Sequence, residues 1–309
     1  MDLKTLKKYK PALTRKSDFE AFWEGTLLES KSQPLNVEMR KIVYPAKRID
    51  AYKVFYSGFN GARICGYFIT EKNAGNNPTI LYFHGLPGKK GMVGEFLGWA
   101  LSGYNCFSID VRGQLGESID TAKYSSGASY GVAVSGVLDK KEYYYRNVYM
   151  DCVRALDFLC GRKEVDKKRI AVTGVSQGGG LAFAACALDP RPKLCLPDQP
   201  YLCHFRRLIK TGIVNSVGVF RRFLADNKDK ETLAYDTLSY FDCMNLADKV
   251  RARTYMSVGL KDVNCPPPTS FAAYNRLKGR KETAVYKNGT HEWQWYHFEP
   301  KMKWIMENL

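Results

Sequence analysis

A serine between glycines, at the junction of an apolar run and a helical pattern, is the first feature that could do chemistry. Residues 174–178 are GVSQG, which fits G-x-S-x-G, and they stand between RIAVT and GGLAFAACAL. Between a strand and a helix, this motif forms a tight turn that exposes the serine hydroxyl. The helix start also offers backbone N–H groups to a developing oxyanion. We predict that Ser176 is a nucleophile; the alternative is a small-residue turn that only lets a helix pack close to a strand.

A serine hydroxyl is a weak nucleophile and needs a base, and the chain has four histidines. In the order Ser, acid, His that accompanies this motif, the base follows the serine and lies on a loop after a late strand. His291, in VYKNGTHEWQW, has that position. We expect structural roles for the other three: His84 ends an apolar run, His204 falls in an irregular region, and His297 lies within or beside the last helical pattern.

The base in turn needs an acid to orient it. Asp262 lies just beyond the apolar run RTYMSVG, where the prolines of VNCPPP stop the strand. An ionised Asp262 that accepts from one imidazole nitrogen would turn the other nitrogen towards Ser176. A loop aspartate that only closes a turn is the alternative. Asp198, Asp242 and Asp248 are interpreted as helix caps or surface charges.

The elements that must position these residues alternate along the chain. Apolar runs predict short strands at 79–83, 104–110, 169–173, 193–197, 253–259 and 283–287. Helical patterns lie between these runs and at the C-terminus. Such alternation indicates the α/β class, with a mainly parallel sheet and helices on both faces.

Two regions depart from the alternation. Residues 1–70 contain a helical pattern, FEAFWEGTLLES, and a hairpin-like pair that turns near Asn60-Gly61, which together form an N-terminal extension. Residues 199–250 are helix-like and aromatic-rich, and we expect them to form an insertion over the sheet. The chain contains no Pro/Ser-rich linker and no internal repeat, so a single domain over 1–309 is predicted.

The charge balance favours acidic partners, because 47 Lys and Arg against 31 Asp and Glu give a formal charge of +16. The basic residues form no long tract and accompany no nucleic-acid-binding motif. A solvated cationic surface is therefore the interpretation, with no nucleic-acid and no membrane partner.

The start of the chain and its cysteines indicate the cellular compartment of the protein. MDLKTLKKYKPALTRK has no apolar core of a signal peptide, and the longest apolar runs are too short for a bilayer. The nine cysteines are odd in number and contain no C-x-x-C pair. We expect buried, reduced thiols in a cytoplasmic protein.

Several motifs together resemble one family. DVRGQ (110–114), GVSQGGG, the His-Glu pair at 291–292 and YYYRNVYMDCVRALDF (143–158) are similar to the acetyl xylan esterase and cephalosporin C deacetylase family, carbohydrate esterase family seven of the α/β-hydrolase superfamily. The resemblance extends from about residue 10 to the end. It implies an α/β-hydrolase fold and the same assignment of Ser176, Asp262 and His291.

The resemblance also implies residues around the triad. The oxyanion hole would use the backbone N–H groups of Leu86 and Gln177. Leu86 stands where the family usually has a tyrosine, which leaves the backbone donor but changes the wall that contacts the acyl and alcohol groups. Arg112, Gly113 and Gln114 would steady loops beside the site, because a forked guanidinium and an amide can join several loop carbonyls. An ordinary turn after a strand is the alternative for these three.

The implied activity is a serine esterase that removes acetyl groups from xylo-oligosaccharides and small esters such as cephalosporin C, through an acetyl-enzyme. No metal or organic cofactor is required. A homo-oligomer, with a hexamer favoured, is expected from the resemblance and from aromatic stretches such as FEAFWEGTL and YYYRNVYMD. The alternative is that these side chains only pack the helices onto the core of a monomer. The alternatives are a carboxylesterase of broader acyl preference, a serine peptidase on the same fold, and a basic binding protein with a decayed site.

Overall fold

The centre of the molecule is a nine-stranded sheet in a computed structural model that describes residues 1–213, 215–292 and 295–309. The strands are β1 (Glu38–Ile42), β2 (Ile49–Ser57), β3 (Arg63–Glu71), β4 (Asn77–Phe83), β5 (Asn105–Ile109), β6 (Val165–Val175), β7 (Leu194–Asp198), β8 (Arg253–Gly259) and β9 (Lys281–Tyr286). Their order across the sheet is β1-β2-β3-β5-β4-β6-β7-β8-β9. The pairs among β1, β2, β3 and β5 are antiparallel, and the remaining pairs are parallel.

This architecture confirms the predicted fold class. Each of the six predicted strands corresponds to one of β4 to β9, and the predicted hairpin is β2 with β3, joined by a turn in which Asn60 has a φ of 57°. The sequence did not reveal β1, because EMRKI is polar and half exposed at the edge of the sheet. Such a strand lacks the apolar alternation that marks a covered face.

Helices cover both faces of the sheet. They are α1 (Leu3–Leu6), α2 (Phe19–Lys31), α3 (Leu97–Leu101), α4 (Tyr144–Cys160), α5 (Gln177–Leu188), α6 (Phe205–Thr211), α7 (Asn215–Asp226), α8 (Glu231–Phe241), α9 (Cys243–Leu246), α10 (Pro267–Tyr274) and α11 (Phe298–Asn308). Side chains of α3 and α11 form one core with Ile80 of β4, whereas α2, α4 and α5 share a larger core with Leu81. Neighbouring residues of one strand thus face opposite layers.

Helices α6 to α9 occupy the predicted insertion. Cys243 N donates to the Leu202 carbonyl at 2.9 Å, which joins the start of α9 to the segment after β7. The N-terminal segment packs against this region, since Thr14 N donates to Asn245 Oδ1 at 3.2 Å and Arg15 Nε donates to the Asn245 carbonyl at 2.6 Å. The insertion is therefore joined to the N-terminal segment of the chain.

The sheet order places a crevice at the carboxyl end of β4. The chain leaves β4 for β5 on one side, and β6 pairs with β4 on the other. In an open α/β sheet, this reversal separates the connecting segments and makes a binding crevice outside the strand ends. The segments that follow β4 and β6 carry His84 and Ser176.

Candidate active site

Ser176 occupies a strained turn between β6 and α5. Its φ of 57° and ψ of −117° lie outside the regions that an L-residue with a side chain prefers. Its N–H donates to the Asp198 carbonyl at 2.9 Å, and its carbonyl accepts from Gly180 N at 3.1 Å and Tyr201 N at 2.9 Å. The main chain of the serine is therefore held by β7, by α5 and by the segment after β7.

The glycines of the motif are needed because three backbones meet here. A Cβ on Gly174 would lie 2.3 Å from the Phe83 carbonyl oxygen, and a Cβ on Gly178 would lie 1.9 Å from the same atom. Both distances are shorter than any van der Waals contact. The motif thus lets β4, β6 and α5 approach closely enough to form the turn.

His291 and Asp262 complete a hydrogen-bonded relay with Ser176. His291 Nε2 lies 3.0 Å from Ser176 Oγ, and His291 Nδ1 lies 2.8 Å from Asp262 Oδ2. The other Asp262 oxygen accepts from Asn264 N at 2.9 Å and Cys265 N at 2.8 Å, so the buried carboxylate has a fixed orientation. The three residues predicted as a triad are brought together in the order that nucleophilic catalysis needs.

The two predicted oxyanion donors lie beside the serine. Gln177 begins α5, so its N–H has no acceptor within the helix. A Cβ on Gly85 would lie 3.7 Å from Ser176 Cβ, which places the loop that carries Leu86 against Ser176. The side chain of Leu86 is half-buried at this position.

The buried Gln177 side chain is fixed by a network that includes Gln114. Gln114 Nε2 lies 2.9 Å from Gln177 Oε1, and the Tyr145 hydroxyl donates to the same oxygen at 3.0 Å. Gln114 Nε2 also contacts the Tyr144 hydroxyl at 3.1 Å. Gln114 thus connects the loop after β5 with α4 and with the start of α5. The sequence predicted a role only for the backbone of Gln177; the contacts of its side chain with Gln114 and Tyr145 were not predicted.

Arg112 joins three segments below the site. Its Nε and Nη2 lie 2.7 Å from the two oxygens of Asp151 on α4, and Nη2 also donates to the Phe59 carbonyl at 2.7 Å. Burial raises the pKa of the Asp151 carboxyl, and the guanidinium opposes that rise. Gly113, with a φ of 68°, makes the turn that follows.

A second buried ionic cluster lies behind the serine. Asp198, at the end of β7, contacts the ammonium of Lys301, lies 3.1 Å from His297 Nε2 and accepts from Ser257 Oγ at 2.8 Å. Burial raises the pKa of this carboxyl, but the positive groups outweigh it and hold the pKa well below its usual value. The prediction that Asp198 is a cap or surface charge is therefore wrong: Lys301 of α11 and His297, directly before that helix, are both distant in sequence.

The other histidines and aspartates make structural contacts. His84 Nε2 accepts from Val111 N at 2.9 Å, and His204 N donates to Asp242 Oδ1 at 2.7 Å. Asp242 caps α9 by accepting from Met244 N at 2.9 Å, as predicted. Asp248 forms a partly exposed ion pair with Arg15.

The cysteines and the lengths of the helices were also part of the sequence predictions. All nine cysteines are free, and all except Cys160 are buried. Within the described part of the chain, no helix is both long enough and apolar enough to cross a bilayer.

A mainly parallel sheet with a G-x-S-x-G turn after β6, an aspartate after β8 and a histidine after β9 is typical of the α/β-hydrolase class. The acetyl xylan esterase family model (AXE1) matches residues 1–308. The chain belongs to this family of carboxylic ester hydrolases.

Individual relatives agree with this placement. An acetyl xylan esterase from Paenibacillus sp. R4 is 44% identical, with full coverage of both chains and a TM-score of 0.96. Acetyl xylan esterase 1 from Thermoanaerobacterium sp. JW/SL YS485 is 28% identical, with a TM-score of 0.94 over 99% of this chain and 98% of that one.

A curated relative is longer than this chain. Acetyl esterase Axe7A from Xylanibacter ruminicola is 29% identical over 290 residues, which are 89% of this chain but 63% of that protein. The Pyrococcus horikoshii acylaminoacyl peptidase, 19% identical with a TM-score of 0.62 over 92% of this chain and 43% of its own, shares the fold alone.

Proposed function

We propose that the protein is a serine esterase that removes O-acetyl groups from short acetylated xylo-oligosaccharides and from small acetyl esters such as cephalosporin C. The observation that carries the proposal is the relay of 3.0 Å and 2.8 Å that joins Ser176, His291 and Asp262 in a member of the acetyl xylan esterase family. The relay supplies a nucleophile and a base, and the family supplies the acetyl group as substrate.

In the first half of the proposed reaction, Ser176 Oγ attacks the acetyl carbonyl carbon while His291 Nε2 takes its proton. The carbonyl oxygen becomes an oxyanion, to which the N–H groups of Leu86 and Gln177 donate. When the tetrahedral intermediate collapses, His291 gives its proton to the departing alcohol oxygen. The sugar leaves, and the acetyl group remains on Ser176.

Water repeats the cycle on the acetyl-enzyme and releases acetate. Asp262 keeps one imidazole tautomer and stabilises the imidazolium that forms twice in each turnover. These steps need no metal or organic cofactor. The nine free cysteines support a reducing, cytoplasmic location, where imported oligosaccharides would be the accessible substrates.

The first test is the variant Ser176→Ala, which removes the nucleophile and leaves the backbone intact. Loss of a triad serine lowers kcat by about a millionfold in another serine hydrolase, and a loss of that order is expected here. Ser102→Ala, at the exposed end of α3, is the matched control and should retain full activity. A folded Ser176→Ala protein with more than a small fraction of wild-type activity would show that the nucleophile is misassigned.

The second test concerns the substrate. We expect kcat/KM on aryl esters to be highest for acetyl and to fall as the acyl chain grows, and acetylated xylo-oligosaccharides to release acetate. A maximum at a longer acyl chain would favour the carboxylesterase alternative. Cleavage of peptide amides in preference to esters would favour a peptidase.

A further inference from the structure

Cys265 lies beside Asp262 and His291 of the relay. Its backbone N–H donates to Asp262 Oδ1 at 2.8 Å, and its side chain is only 1% exposed. One ligand atom from each of Asp262, Cys265 and His291 lies within 4.8 Å of the others. A thiol, an imidazole and a carboxylate therefore converge on one point of the site.

We propose that Asp262, Cys265 and His291 form a binding site for a thiophilic divalent cation such as Zn²⁺, and that the bound cation inhibits the enzyme. Sulfur, imidazole nitrogen and carboxylate oxygen are the ligands that Zn²⁺ uses in proteins, at about 2.3 Å for sulfur and about 2.0 Å for nitrogen and oxygen. A cation between the three residues needs only small side-chain movements to reach such distances. The thiol proton leaves to solvent when the thiolate binds.

The site has a fixed base and an open side. Asp262 and Cys265 belong to one short turn whose hydrogen bonds hold both residues before α10 begins at Pro267. His291 is half-buried, so its ring can be reached from solvent.

Binding through either imidazole nitrogen stops the relay. A neutral imidazole has one lone pair and one N–H. If the cation takes Nε2, that atom cannot accept the Ser176 proton; if it takes Nδ1, the proton stays on Nε2, which is then a donor. Inhibition therefore follows from occupancy alone.

Another cluster of similar composition provides a contrast. Cys65, Asp110 and Glu117 also converge, but the ammonium of Lys90 lies 2.8 Å from Asp110 and 2.9 Å from Glu117. A positive charge already occupies that position. The carboxylate beside Cys265 instead contacts His291, which can exchange its proton for a metal ion.

The binding test uses Cd²⁺, whose bond to a thiolate gives an ultraviolet charge-transfer band. Titration of wild-type protein should produce this band, and Cys265→Ser should abolish it. Cys160→Ser is the matched control, because Cys160 is the half-buried cysteine at the end of α4, far along the chain from the relay, and should leave the band unchanged. His291→Ala should weaken Cd²⁺ binding by at least about tenfold, as expected for loss of a ligand.

A band that persists in Cys265→Ser, or unchanged Cd²⁺ affinity in His291→Ala, would overturn the site. His291 is half-buried, so the second variant stays informative even if Cys265→Ser does not fold. These measurements do not depend on esterase activity.

The inhibition test rests on the proposed function. Zn²⁺ should stop hydrolysis of an acetyl ester, a chelator should restore it, and Mg²⁺ at the same concentration should have no effect. Full activity with the site occupied by Zn²⁺ would overturn the inhibitory role. Absence of hydrolysis without Zn²⁺, together with a normal Cd²⁺ band, would contradict the proposed function and leave the metal site standing.

Discussion

At the scale of single residues, the position of Ser176 depends on backbone partners as much as on its own motif. A backbone conformation with a φ of 57° and a ψ of −117° costs about 1–3 kcal/mol for a residue with a side chain. It persists only where the surrounding structure holds the backbone in place. Here the carbonyl of Asp198 and the N–H groups of Gly180 and Tyr201 do so. The strained turn places the Ser176 hydroxyl beside His291 Nε2.

The relay predicts how two substitutions combine. We expect His291→Ala to reduce kcat as much as Ser176→Ala, and Asp262→Asn to reduce it by a smaller factor of about 10⁴, because the base remains in the wrong tautomer. Since the residues act as one unit, the double variant His291→Ala with Asp262→Asn should have a kcat little lower than that of His291→Ala alone. Steady-state kinetics would measure this, and losses that multiply would argue against a shared mechanism.

His204 predicts a dependence of stability on pH. Burial, together with the charges of Arg207 and Arg276, lowers its pKa to about 4, whereas the unfolded value is about 6.5. The unfolded chain binds the extra proton between these values, so the stabilising contribution is present above about 6.5 and is lost as the pH falls through 4. Asp242 changes in the opposite sense, because burial raises its pKa to about 6 and its contribution is lost as the pH rises through that value.

The variant His204→Asn separates the two contributions. Asparagine tolerates the φ of 50° at this position and does not titrate. The Tm of the variant minus that of wild type should therefore increase as the pH falls from 6.5 to 4. The contribution of Asp242 is the same in both proteins, so it cancels in this difference. Calorimetry at several pH values would measure this, and a constant difference in Tm would contradict the lowered pKa.

At the scale of elements, the sequence predicted what periodicity and turn residues determine. The strands β4 to β9, the β2–β3 hairpin and the strand–turn–helix at Ser176 each carry a local signal. The polar edge strand β1 carries none. The contacts of Gln177 with Tyr145, and of Asp198 with Lys301, join segments that are far apart in sequence, so only the packed fold reveals them.

The pairing of Asp198 with Lys301 fixes α11 to the end of β7. Lys301→Met would leave the buried Asp198 carboxylate without its ammonium partner, and loss of one partner of a buried pair costs about 3–5 kcal/mol. We expect a fall of that order in the free energy of unfolding. Lys303→Met, exposed on the same helix, is the matched control and should change stability little.

Denaturant titration would measure the Lys301 effect. The double variant Asp198→Asn with Lys301→Met should cost less than the sum of the single changes, since no buried charge is then left without its partner. Additive losses would show that the pair does not stabilise the α11 contact.

At the scale of the whole molecule, the structure changes the argument for assembly. Aromatic residues expected at a subunit interface, including Tyr143, Tyr144, Tyr145 and Trp23, are buried within the chain. Trp23 packs against Tyr149 and Phe241 of neighbouring helices, and Tyr143 also packs against Phe241, so these side chains cannot form an interface. The proposed hexamer therefore depends on the family resemblance and on apolar side chains that are exposed, such as Leu115 at 68% and Ile119 at 72%, both in the loop after β5.

Self-association must overcome repulsion between chains that each carry a formal charge of +16. Repulsion between exposed charges extends over about 10 Å at 0.1 M salt and over about 30 Å at 0.01 M. Because apolar contacts do not weaken as salt is added, we expect assembly to be complete at high salt and partly dissociated at low salt. Light scattering coupled to gel filtration should give six times 35.1 kDa at high salt. A mass of 35.1 kDa in both conditions would rule out the oligomer.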